Sequence, residues 1–140
     1  MDTEGMKVTM QKPSVYPNEG FVVESVADYF SSLGYRIAFA QNNFEADLIA
    51  VNEEDRSDYW TIEAKGHTAS ITTDHNTALG QILKRMTDRN KKYAIAVPQT
   101  SQMVKECRKV PQWLKQSIGL HFIFVNEDGQ ISMYAPDTQI

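Results

Sequence analysis

The chain has 140 residues and a mass of 15.9 kDa, enough for one domain around one core. Its 41% hydrophobic and 23% charged residues are ordinary for a globular protein, and no apolar run approaches membrane length, which excludes fibrous, low-complexity and membrane-spanning classes. The single cysteine, Cys107, excludes an internal disulfide and a cysteine-rich zinc site, and it reads as an inert thiol on a helix.

The net charge of -4 argues against a protein that coats nucleic acid, but the charge is unevenly spread. Residues 84–92 gather Lys84, Arg85, Arg89, Lys91 and Lys92 against Asp88 alone, and residues 105–115 gather Lys105, Arg108, Lys109 and Lys115 against Glu106 alone. Two basic stretches on an acidic chain suit either a local polyanion site or two solvated helix faces. The first residues lack a basic region followed by an apolar one, so the expected setting is cytoplasmic and reducing, without a membrane.

Residues 1–16 show no period and read as a loose terminus. Asn18 is a plausible N-cap for a helix over 18–33, with Val22, Val26, Tyr29, Phe30 and Leu33 on one face and Gly34 as its stop. Strands are expected at 35–41, 47–52 and 59–65, the last two joined by the polar turn 53–58. The Thr-rich stretch 66–75 reads as a loop. A second helix follows over 77–89, with Leu79, Ile82, Leu83 and Met86 on one face. A buried-type strand at 92–97 precedes a helix over 101–117, bent or broken near Pro111. Strands at 120–125 and 130–134 form a closing hairpin. The order αβββαβαββ predicts a single α/β domain spanning 1–140, a mixed central sheet flanked by helices.

The chemistry gathers on two strands. Alternation points Trp60, Ile62 and Ala64 one way and Thr61, Glu63 and Lys65 the other, so an acid and a base share a face at a strand's end. Asp47 opens the apolar run Leu48–Val51, and an acid at the mouth of a buried strand needs a partner. If the two strands pair across 53–58, Asp47 lies opposite the end of the next strand. Asp47 and Glu63 can then share a hard cation such as Mg²⁺, which takes one or two carboxylates plus substrate phosphate. Lys65 would stand beside the phosphate and offset developing negative charge. The tripeptide itself is uninformative, since acid-x-Lys is expected roughly once by chance in such a chain; the competing explanation is a surface ion pair. The context carries the weight.

That context, Asp47-Leu-Ile-Ala-Val, then Ile62-Glu63-Ala-Lys65-Gly66, then Ala78-Leu-Gly-Gln81 on a helix, resembles the PD-(D/E)XK nuclease superfamily, which includes restriction endonucleases, Mrr-like enzymes and Holliday-junction resolvases. The resemblance covers residues 18–98. One departure is Ala46 where the pattern has Pro. The resemblance implies a restriction-endonuclease-like core and a metal-dependent endonuclease. Asp47 and Glu63 become Mg²⁺ ligands, with Mn²⁺ as a substitute, and Lys65 the catalytic lysine. A further metal-binding glutamate from the first helix is Glu19 or Glu24; helical spacing favours Glu19, because Glu24 lies opposite the apolar stripe. Gln81 matches a polar position that contacts phosphate or the site carboxylates, with a solvated glutamine as the alternative.

The implied substrate is nucleic acid, DNA before RNA, bound through Lys84, Arg85 and Arg89, and a double-strand cut would call for a homodimer. The alternative is a catalytically silent module of the same fold that binds nucleic acid or a protein. His67, Thr68 and His75 read as incidental loop residues, and Trp60 and Trp113 as packing residues.

Overall fold

The computed structural model describes residues 14–42 and 45–140, so most of the unpatterned 1–16 stretch lies outside the described residues. Among the described residues six strands form one sheet whose order follows the chain: β1 (Tyr35–Phe39), β2 (Leu48–Asn52), β3 (Tyr59–Ala64), β4 (Lys92–Pro98), β5 (Leu120–Val125) and β6 (Ile131–Tyr134). The first three strands pair antiparallel, β3–β4 and β4–β5 pair parallel, and β5–β6 closes antiparallel. The mixed sheet follows from the connections. Polar turns join β2 to β3 and β5 to β6, whereas the parallel steps need helical crossovers. These are α2 (Ile71–Arg85) between β3 and β4, and α3 (Ser101–Arg108) with α4 (Gln112–Ile118) between β4 and β5. The helix expected over 101–117 is thus two, broken at Pro111, whose ring cannot continue a helical ladder.

The helix α1 (Glu19–Ser32) covers one face of the sheet. Val22, Val26 and Phe30 pack there against Leu48, Ala50, Trp60, Ile62 and Ala64. The other face belongs to α2 and α3: Ala78, Ile82, Met103 and Cys107 pack on Ile95, Val97, Phe122 and Phe124. Cys107 is fully buried, and burial pushes its thiol pKa up to about 12, which keeps it protonated and inert.

Several expectations are corrected. The second helix begins at Ile71, not 77, and ends at Arg85, not 89. Thr68 donates its backbone N–H and hydroxyl to the Asp74 carboxylate (3.1 and 2.7 Å), which fastens the helix's first turn to the preceding loop. His75 therefore lies on α2, buried and stacked on Phe122, and burial lowers its pKa. The buried face of α2 is His75, Ala78 and Ile82, while Leu83 is 47% exposed. Leu33, assigned to the buried stripe of α1, is exposed. Trp60 is buried as expected, but Trp113 stands exposed on α4.

Candidate functional site

The site lies where β2 begins and β3 ends. The antiparallel register sets Leu48 opposite Ile62, so one step outward Asp47 faces Glu63. Asp47 is held by the neighbouring strand: its Oδ2 accepts the Ala64 backbone N–H at 2.8 Å. Because Ile62 and Ala64 point into the core under α1, alternation turns Thr61 and Glu63 toward α2. The Glu63 side chain is 1% exposed, and its Oε2 accepts from Arg85 Nε at 3.2 Å. Arg85 also donates from a terminal nitrogen to the Glu45 carbonyl at 3.0 Å, tying the approach to β2 onto α2.

Burial raises the Glu63 carboxyl pKa to about 7; the adjacent Asp47 carboxylate adds to the rise, and Arg85 offsets part of it. Two carboxylates within hydrogen-bonding reach cannot both ionise freely without a cation.

Lys65 directly follows β3. Its backbone N–H continues the ladder by donating to Ala96 O at 3.0 Å. Its side chain is half-buried and makes no hydrogen bond or ion pair among the described residues, although its charge reaches Glu19. Gly66 brings α1 to this corner. A Cβ on Gly66 would stand 2.3 Å from the Glu19 backbone nitrogen and 2.8 Å from Asn18 carbonyl carbon. What approaches Gly66 closely is the backbone at the start of α1. His67 N–H then donates to Pro17 O at 2.9 Å. Gly66→Ala should therefore destabilise the protein by about 1–3 kcal/mol through overpacking against backbone, read as a lower midpoint in urea unfolding.

Glu19 sits in the first turn of α1, accessible to solvent. Its pKa is raised by partial burial and by Asp47, against the pull of Lys65. Glu24 points elsewhere, accepting from Ser14 Oγ at 3.2 Å. Of the two, Glu19 is the one whose field reaches Asp47 and Lys65. Even so, no three carboxylate, imidazole or thiol groups converge into a metal cage among the described residues, so Glu19 is not gathered with Asp47 and Glu63 as a third ligand.

Gln81 and Arg85 are four residues apart on α2 and share a face. The Gln81 Oε1 is buried without a hydrogen-bond partner among the described residues. A buried, unpaired acceptor costs about 1–3 kcal/mol unless water or a ligand satisfies it.

The basic stretches resolve differently from the expectation of two open patches. Arg85, expected to meet phosphate, is paired with Glu63. Lys92 pairs with Asp58 at 3.0 Å, and Lys91 lies over the Tyr59 ring. In the second stretch Lys115 is buried, donating to Thr138 O at 3.2 Å; Lys109 pairs with Glu106, and Arg108 Nε donates to Ile140 O. Lys84, on α2, and Arg89, beyond its end, are exposed.

No protein-family model matches the chain, and neither does any curated protein or solved structure. The functional reading therefore rests on this corner alone. Two adjacent carboxylates, one of them with an elevated pKa, are a donor set that suits Mg²⁺, which is held by one or two carboxylates plus phosphate and water. The pairing of Arg85 with Glu63 is the contact that sequence reasoning missed. The available signal was the Gln81–Arg85 spacing, which puts both on one helix face.

Proposed function

We propose that the chain is a metal-dependent nuclease of the PD-(D/E)XK type, with a restriction-endonuclease-like core, that hydrolyses phosphodiester bonds, in DNA before RNA. The observation that carries the reading is the juxtaposition of Asp47 and Glu63 across the β2–β3 register, with Lys65 two residues further on. Asp47 and Glu63 would hold a Mg²⁺ or Mn²⁺ ion. Once bound, that ion supplies Lewis-acid stabilisation of charge on the phosphoryl oxygens.

The chain's own residues do the rest. The Ala64 N–H fixes the Asp47 carboxylate, so the pair is preorganised. Lys65 presents an ammonium that is not committed to an ion pair among the described residues, in position to meet negative charge developing on the phosphate. Gln81 offers its side-chain amide to phosphate or carboxylate. Glu19, whose charge reaches Asp47 and Lys65, contributes negative potential at the mouth of the site.

A second reading, a catalytically silent module of the same fold, draws on one observation: Arg85 already pairs with Glu63. The two readings separate in an assay of purified protein on supercoiled, linear and single-stranded DNA and on RNA, with Mg²⁺, Mn²⁺ or chelator. The nuclease reading expects metal-dependent cleavage of at least one form. No cleavage of any form would leave the silent module.

Substrate approach is assigned to Lys84 and Arg89, both exposed. Lys84→Gln and Arg89→Gln should each flatten the salt dependence of duplex binding by about 0.9 in log–log slope. An unchanged slope would return these residues to solvent. No helix among the described residues is long and apolar enough to cross a membrane. A double-strand cut would need two sites, which a symmetric dimer supplies.

A further inference from the structure

We infer that Arg85 is the site's internal counter-ion: its guanidinium pairs with Glu63 while no metal is bound, and it competes with the divalent cation for that carboxylate. The inference rests on the metal-dependent reading above and adds to it a residue that sets how readily the site loads.

The geometry supports both halves of the exchange. Arg85 closes α2, so its side chain reaches the site from a fixed helix end. It contacts Glu63 from Nε at 3.2 Å, within the ordinary range of an N–H···O hydrogen bond. Asp47 is oriented independently by the Ala64 N–H, so it stays in place whichever cation Glu63 meets. The guanidinium would also have to leave its contact with the Glu45 carbonyl, and there is room for it to move. Arg85 borders a cleft of about 420 Å³ on the α2 side of the first three strands, floored by Ala38, Ile49, Ala46 and Thr61.

Energetics make the exchange consequential. Glu63 is almost wholly buried beside a second carboxylate, an arrangement that needs a compensating positive charge. Only one hard cation is required at a time. A divalent ion arriving between Asp47 and Glu63 would face repulsion from the guanidinium unless Arg85 swings into the cleft. There, beside the loaded site, it presents its donors to substrate phosphate.

The test is calorimetric titration of Mn²⁺ at pH 8 into the wild type, Arg85→Gln, Arg85→Lys and Asp47→Asn. Arg85→Gln should bind Mn²⁺ about tenfold to a hundredfold more tightly than wild type, the change expected for removing one hydrogen bond between charged groups. Arg85→Lys, which keeps a charge without the planar fork, should fall between them, and Asp47→Asn should lose binding. The same ranking should appear in thermal unfolding: Arg85→Gln loses stability in chelator and regains more than wild type on adding Mn²⁺. Equal affinities across wild type and both Arg85 variants would overturn the counter-ion and leave the metal site standing. Absence of Mn²⁺ binding in every protein would overturn both. Should Arg85→Gln fail to fold, Arg85→Lys decides: wild-type affinity and an unchanged Mn²⁺ response overturn the proposal.

Discussion

Lys65→Ala should lower the cleavage rate by about 10²–10³ while leaving nucleic-acid binding and folding nearly unchanged, by analogy with removal of a donor that acts on transition-state charge. The expectation follows from where Lys65 sits. It is the first residue beyond β3, half-buried, and its contribution to the sheet is the backbone N–H that donates to Ala96. Alanine keeps that bond. Truncation opens no cavity in the apolar core, because Ile62 and Ala64 face the other side. Single-turnover cleavage and fluorescence-anisotropy binding in Ca²⁺ separate the two effects. Wild-type cleavage by Lys65→Ala would mean that the chemistry is elsewhere.

Glu63→Gln should also abolish cleavage, yet stabilise the metal-free protein at alkaline pH. The Glu63 pKa is raised to about 7 from an ordinary value of 4.5. The folded state therefore holds a proton that the unfolded state has released between those two values, and stability falls as pH rises through that window. Below pH 4.5 the contribution is fully present; above about 7 it is lost. Glutamine keeps the neutral form at every pH. In chelator at pH 8, Glu63→Gln should exceed wild type by about 2–3 kcal/mol, with the gap closing toward pH 4. Added Mg²⁺ should narrow the gap from the other side, by stabilising wild type alone. Urea midpoints across pH measure both trends. A less stable Glu63→Gln at pH 8 would mean that attraction to Arg85 outweighs burial and the Asp47 charge.

Much of this corner was legible in the sequence because strand side chains obey a strict period. Alternation alone separated Ile62 and Ala64 from Thr61 and Glu63, and the polar turn 53–58 set the register that brings Asp47 opposite Glu63. The start of α2 was not legible. Residues 72–77 are Thr, Asp, His and Asn with no apolar repeat, and the helix there depends on Asp74 holding Thr68 and on His75 packing against Phe122. The Arg85–Glu63 pair spans 22 residues of sequence, and a charge count assigns an arginine to phosphate as readily as to a buried carboxylate. Trp113 and Lys115 differ from expectation for a local reason: two residues apart on a short helix they lie on opposite faces, which puts the aromatic in solvent and the ammonium in the interior.

The central claim is that Asp47 and Glu63 bind the ion that makes this chain a nuclease. It is tested most directly by single-turnover cleavage of labelled DNA, with wild type and Asp47→Asn side by side in Mg²⁺, Mn²⁺ and chelator. Wild type should cleave in either metal and not in chelator, and Asp47→Asn should not cleave in any condition. Cleavage by Asp47→Asn at the wild-type rate, or cleavage by wild type that persists in chelator, would contradict it.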